Sequence, residues 1–191
     1  MPGRISRRFV RQQDGAAAVE FALVATPFLA LTFGIVEAAL VFFAGQTMEA
    51  AAADTARLIM TGQAQTLAYG TTNPGSYSQE DFGKAVCARV QTLFDCTKMT
   101  VDVKKYADFA SVDNSPPVTV DPVTGARNLD TSKVTYVPGG PNCIIAVSLY
   151  YQWPINVAIY GDMSNLANHK RLLAATSVFR NEPYGGANAC P

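Results

Sequence analysis

From Ala16 to Leu31 the chain reads Ala-Ala-Ala-Val-Glu-Phe-Ala-Leu-Val-Ala-Thr-Pro-Phe-Leu-Ala-Leu, an apolar run holding a single carboxylate, Glu20. Phe21 to Val36 carries no charge, Glu37 interrupts, and Ala38 to Ala44 is apolar again. On a helix Glu20 and Glu37 stand about 25 Å apart. The hydrocarbon core of a bilayer is about 30 Å thick. Both carboxylates therefore fit near opposite edges of one span of about 16–44. That is the placement of Glu37 that needs no partner; the other is burial against a neighbouring subunit. A carboxylate inside such a segment costs about 2.5–3.5 kcal/mol even on a lenient insertion scale, so Glu20 is a candidate functional residue.

The helical pattern continues beyond the apolar run. Thr47 to Met60 is rich in Ala, a strong helix former, and no Pro or Gly lies between Gln46 and Met60. Met48, Ala51, Ala52, Thr55, Leu58 and Ile59 recur at helical spacing and form an apolar stripe. Gly62 is a stop signal. The pattern predicts one helix from about Ala16 to Thr61, near 70 Å long. Its first half suits lipid and its second half supports a globular part. Pro27 removes one helical hydrogen bond and predicts a kink.

Leu67 to Tyr77 is turn-rich and reads as a linker. Ser78 is a good N-cap, Glu80 and Asp81 favour the dipole in the first turn, and Phe82, Val86, Val90, Leu93 and Phe94 form an apolar face. Met99 to Tyr106 alternates as a strand does. Ala107 to Pro141 holds Pro116, Pro117, Pro122, Gly125, Pro138, Gly139, Gly140 and Pro141, and reads as a long excursion with a short strand at Val134 to Val137. Cys143 to Trp153 is the strongest strand pattern, and Leu172 to Phe179 is the next. The economical solution is α+β: the long helix and a short helix packed on an antiparallel sheet of three or four strands.

Composition narrows the function. The 191 residues suit one compact domain with an appendage; 49% are hydrophobic and only 16% charged. Net charge is zero, and Lys104-Lys105 and Lys170-Arg171 are too few for a nucleic-acid stripe. Cys87, Cys96, Cys143 and Cys190 all follow the apolar run, and His169 is the one histidine, so zinc spacing is absent. An even cysteine count on one side of a span fits disulfides in an oxidising compartment. A Cys87–Cys96 bridge would staple a helix to the loop after it, with Cα atoms within about 7 Å. Cys143 with Cys190 would pin the tail; other pairings stay open at this level. His169 lies in a polar stretch and reads as a surface residue. Pro138-Gly139-Gly140-Pro141 lacks the amide donors and the Lys-Ser/Thr of a phosphate loop. Asp108, Asp113, Asp121 and Asp130 lack calcium-loop spacing. Tyr150, Tyr151 and Trp153 read as sheet packing. No catalytic constellation, metal set or cofactor motif emerges.

Arg4, Arg7, Arg8 and Arg11 precede the span, and no basic excess follows it. The positive-inside rule puts the N-terminus in the cytoplasm and the C-terminal bulk outside, a single-pass inner-membrane topology with a periplasmic domain. A cleaved secretory peptide fits the basic start but not the length of the run or Glu20. A plain signal anchor carrying a periplasmic binding or scaffold domain is the rival reading.

Gly15-Ala16-Ala17-Ala18-Val19-Glu20-Phe21-Ala22-Leu23 resembles the processing region of type IV pilin-like precursors, and more closely the TadE-like pseudopilins of the tight-adherence (Flp pilus) system. The resemblance extends through Gly34-Ile35-Val36-Glu37 and Ala51-Ala52-Ala53-Asp54-Thr55-Ala56-Arg57. Further landmarks are Gly62-Gln63-Ala64-Gln65, Val86-Cys87, Asp95-Cys96, Tyr151-Gln152-Trp153-Pro154 and Phe179-Arg180-Asn181-Glu182-Pro183-Tyr184. It implies a pilin-like long helix, a cytoplasmic leader 1–15, a helix 16–66 and a periplasmic domain 67–191. It further implies cleavage between Gly15 and Ala16 by a prepilin peptidase. Glu20 would become the fifth mature residue and pair with the amino terminus of a neighbouring subunit, since each charge in low dielectric is far better paired than alone. The implied partners are that peptidase, other pilins and pseudopilins, and the inner-membrane pilus assembly platform. Where the family motif often has Tyr after the Glu, this chain has Phe21, which keeps the ring and loses the hydroxyl.

Overall fold

A computed structural model describes residues 14–66, 76–156, 163–184 and 190. The arginines of the leader and most of the predicted 67–77 linker lie outside the described residues.

One helix, α1 (Asp14–Met60), runs unbroken through Pro27. It ends where the sequence predicts. Gly62 adopts φ +78°, and its Cα faces the ring of Tyr184 so closely that a Cβ would lie 2.6 Å from Cγ. The last carbonyls find partners across the fold: Met60 accepts from the Glu182 amide at 2.9 Å and Ile59 from Gln65 Nε2 at 3.2 Å. A single turn, α2 (Gln63–Thr66), follows.

α3 (Gln79–Val90) starts at a capping box in which the Ser78 hydroxyl accepts from the Asp81 amide and Asp81 accepts from the Ser78 amide. Two orphan donors of the first turn are thereby satisfied together. Phe82, Val86, Val90 and Phe94 bury the predicted face, with Leu93 half-buried. The sheet consists of β1 (Thr100–Tyr106), β4 (Ile144–Pro154) and β5 (Lys170–Arg180), antiparallel in the order β1-β4-β5. β4 is buried along most of its length because it is the central strand. Val103 and Tyr136 form a single parallel bridge at the β1 edge, where a short strand is predicted.

A second, two-stranded sheet, β2 (Val118–Val120) with β3 (Arg127–Leu129), lies inside the predicted excursion. The prolines around it read as breakers. Pro117 precedes the first strand and Pro122 sits in the connecting turn, where neither interrupts a ladder. The turn is tied by Asp121, whose carboxylate accepts from the Val123 and Thr124 amides.

The core is one layer of helix against one layer of sheet. Val41, Ala44, Met48, Ala51, Ala52, Thr55 and Ile59 of α1, with α3, face Val101, Val103, Ile145, Val147, Leu149, Tyr151, Leu173 and Ala175. The alanines bring the helix backbone close to the strands. Thr55 is fully buried and satisfies its own hydroxyl on the Ala51 carbonyl at 2.7 Å. Lengths agree: helix residues 37–60 rise about 34 Å and the β4 strand about 33 Å, so the β4–β5 hairpin lies along the whole second half of the helix. Its two ends are fixed, by Glu182 on Met60 and by the Asn156 amide on the Glu37 carboxylate.

Two disulfides complete the domain. Cys87 joins Cys96 with Cα atoms 5.6 Å apart, and Cys143 joins Cys190 at 5.0 Å. The first ties the last turn of α3 to the loop entering β1; the second holds the tail against the start of β4.

Candidate functional site in the free half of the long helix

The two carboxylates of α1 have opposite surroundings. Glu37 is 7% exposed, and its Oε1 accepts a hydrogen bond from the Asn156 amide. Sequence reasoning favoured a bare edge position for it. The structure instead buries it within its own chain, because the connection leaving β4 folds onto the helix there. Glu20 is exposed, and among the described residues no hydrogen bond or ion pair reaches it.

Around Glu20 the helix is apolar and uncovered. Phe21 is 74% exposed, and Val19, Leu23, Val24, Phe28, Leu31, Phe33 and Ile35 are exposed as well. Gly34 and Glu37 are the first buried positions along the helix. Thr26 and Thr32 hide their hydroxyls by bonding to the carbonyls of Ala22 and Phe28, at 2.7 and 2.8 Å. From Gly15 to Val36 the free half measures about 33 Å, close to one hydrocarbon core of about 30 Å.

Gly15 lies in the first turn of α1, where a Cβ would meet nothing within 4 Å. Gly in a helix costs about 0.5–1 kcal/mol relative to Ala. The local fold does not require a glycine there. Ala16 and Phe21 are likewise exposed.

The scattered C-terminal landmarks come together as packing. Gly62 and Gln65 meet Asn181 and Tyr184 at the end of α1. Gln65 Nε2 and Asn181 Nδ2 both donate to the Pro138 carbonyl at 3.1 Å, and Asn181 Nδ2 reaches Gly140 at 2.9 Å. Pro138-Gly139-Gly140-Pro141 is thus a turn clasped by two side-chain amides. Asp95 meets Tyr151 through its amide at 3.4 Å, and the Phe94 ring packs edge-on against Tyr151 and Trp153 with centroids at 4.9 and 5.8 Å. Periodicity gives no sign of this amide clasp, since Gln and Asn carry no periodic signal; Gln65 and Asn181 are marked only as landmarks of the resemblance.

Charged chemistry in the domain is local. Asp95 caps the short turn Cys96–Lys98, and the Lys98 ammonium at 2.8 Å, with Thr97, holds its carboxyl down to about 2. Asp102 is buried and accepts from the Thr135 amide at 2.9 Å and from Lys104 at 2.8 Å. Burial pushes the Tyr136 hydroxyl up. His169 is exposed in the turn before β5, at φ +53°. Among the described residues no group of three or more His, Cys, Asp or Glu could hold a metal ion.

Among the described residues one N-terminal helix is long and apolar enough to cross a membrane, and an α+β domain is folded on the second half of that helix. The family model for TadE-like proteins matches residues 15–57, so the long helix is similar to that of TadE-like proteins. The match takes in Gly15, Glu20 and Glu37 and stops just before the end of α1. No curated protein and no solved structure matches the chain. TadE-like proteins are pilus-associated and the family is not known as enzymatic.

Proposed function

We propose that this chain is a minor pseudopilin of a tight-adherence pilus, anchored in the inner membrane by residues 15–36 and trimmed by a prepilin peptidase between Gly15 and Ala16. The observation that carries the reading is the exposed Glu20 on an apolar half-helix that the described residues of the domain leave bare. In lipid an unpaired carboxylate is costly. A new amino terminus from a neighbouring subunit would relieve that cost, since the pair in low dielectric is far better than either charge alone. Phe21 would supply the adjoining apolar contact. Chemistry belongs to the peptidase, and this chain is its substrate. The domain faces the periplasm, an oxidising compartment suited to its two disulfides. Other pilins and pseudopilins and the inner-membrane assembly platform are its partners.

The test is the N-terminal sequence of the protein recovered from membranes, with and without co-expressed prepilin peptidase. An N-terminus at Ala16 that depends on the peptidase is the expected result. An intact leader in both samples defeats the processing step and leaves a signal-anchored scaffold domain. Gly15→Ala should block cleavage while leaving helix and domain unchanged, because nothing packs against that position.

A further inference from the structure

We propose that the free edge of β5 receives an extended segment of a partner protein, uncharged along its middle and carrying carboxylates at both ends, as an added strand of the sheet. Every odd residue of β5 turns its amide and carbonyl toward β4. That register is fixed at the two ends, where the Ile155 amide donates to the His169 carbonyl and the Asn181 amide to the Cys143 carbonyl. The even residues therefore turn theirs outward. At the start of the strand these outward groups are used. The Leu172 amide donates to Asn165 Oδ1 at 2.7 Å, and the Lys170 carbonyl accepts from the Asn165 and Leu166 amides. From Ala174 through Thr176 to Val178 the outward amides and carbonyls meet no partner among the described residues.

The opposite edge of the sheet is guarded by the chain itself. Val103 of β1 bonds to Thr135 and Val137, both at 2.8 Å, and Gln79 Nε2 caps the Val101 carbonyl at 2.9 Å. β5 has none of the devices that discourage pairing. Leu172 to Phe179 holds no charge and no proline, and the β4–β5 register runs without a bulge. Ala174 and Thr176 are exposed. Lys170 and Arg180 bound this run on one face of the sheet, about 33 Å apart. Lys170 Nζ is held by Gln152 Oε1 and Arg180 Nε by the Asn142 carbonyl, each at 3.2 Å, so neither is paired with a carboxylate among the described residues. Opposite charges directly across a ladder attract, which sets the acidic ends of the incoming strand. Polarity excludes β5 of a second copy as an antiparallel occupant. β5 runs from the level of Glu37 to that of Met60, in the same direction as α1. Pairing it antiparallel with its own copy would turn the two long helices head to tail, which two chains anchored in one bilayer from the same side cannot adopt. That exclusion rests on the reading that residues 15–36 cross the membrane; the open edge does not.

The test uses the full-length protein in detergent micelles, with amide exchange followed residue by residue by NMR. In the free protein Ala174, Thr176 and Val178 should exchange at least about tenfold faster than Leu173, Ala175 and Ser177, which bond to β4. The probe is a synthetic peptide in which alternating threonine and valine separate two terminal aspartates by the length of β5. It should slow exchange at the three outward amides at least about tenfold. The same peptide with lysine ends should bind at least about twofold more weakly. Methylating the peptide amides that face β5 should abolish the protection, because main-chain hydrogen bonds carry strand addition. Ala174→Pro removes one outward donor without touching the β4 ladder and should block the peptide. Ala174→Lys places a charge on the edge and should block it too, should the proline variant fail to fold. Outward amides already slow in the free monomer overturn the proposal, as do an aspartate peptide without effect and a methylated peptide that protects equally. Protection that rises with protein concentration in the absence of peptide assigns the edge to a second copy and overturns it as well. Release of the protein from membranes by carbonate defeats the span reading, whereas the peptide result decides the edge.

Discussion

The two halves of α1 are built from similar residues and live by different rules. Below Glu37 the helix shows its leucines, phenylalanines and valines on every side; above it, Val41, Ala44, Met48, Ala51, Ala52, Thr55 and Ile59 turn inward onto a sheet. The lower half has no buried stripe because it has no protein core to face, whereas the upper half has one buried stripe and a back that turns polar only from Gln46 onward. The two carboxylates follow the same division. Glu37 serves the fold, accepting from the amide of a β-connection; Glu20 meets no hydrogen-bonding or ionic partner among the described residues. The same residue type on one continuous helix is thus structural in one half and exposed in the other.

The sharpest way to break this comparison is truncation of apolar side chains. Met48→Ala, at a fully buried position, should cost about 2–5 kcal/mol of domain stability by thermal or denaturant unfolding. Phe28→Ala, at a position 64% exposed, should leave that stability unchanged. Equal losses at both sites would mean that the lower half also packs within the chain.

The disulfides come next. Loop-closure entropy gives about 4 kcal/mol for the long Cys143–Cys190 loop and about 2.6 kcal/mol for the short Cys87–Cys96 loop. Paired Cys→Ser variants should therefore lose stability in that order in chemical denaturation. Smaller again is Glu37→Ala, which strips the Asn156 amide of its acceptor and should cost about 1–3 kcal/mol. Glu20→Ala should leave membrane insertion and domain unfolding untouched and impair piliation; normal pili in that variant would remove Glu20 from assembly. The smallest effect is that of pH on Asp95. Its folded carboxyl titrates at about 2 against an ordinary 3.8, so the Lys98 contact stabilises the fold above that ordinary value and is lost as pH falls through 2. A carboxyl carbon titration by NMR checks the midpoint, and Asp95→Asn should flatten the acid response.

Much of this fold is legible before any coordinates. The long helix and its stop at Gly62 follow from periodicity and a residue able to take positive φ, and the Ser78 start of α3 follows from capping chemistry. The three long strands follow from alternation and β-branching, since each buries at least one face. The β2–β3 hairpin escaped because its strands are short and mostly solvated, leaving Val118-Thr119-Val120 as the sole cue among prolines. Burial of Glu37 escaped for a different reason. Its partner is a backbone amide more than a hundred residues away, and a backbone amide has no residue identity to read. Glu20 stands out as an acid amid hydrocarbon, whereas Gly15 is marked only by the resemblance to a pilin-like processing region.

The clamp between Met48 and its strands also sets a waiting time. The upper half of α1 is made early, but β4 and β5, which cover it, are made about a hundred residues later. At roughly 5–20 residues per second the helix's alanine-rich face stays bare for roughly 5–20 s in each molecule. During that interval the cheapest cover for an apolar helix face is another helix of the same kind. Newborn chains are therefore at greatest risk of associating wrongly before the β4–β5 hairpin arrives, and the rate at which that hairpin closes over the helix limits how crowded their synthesis can be.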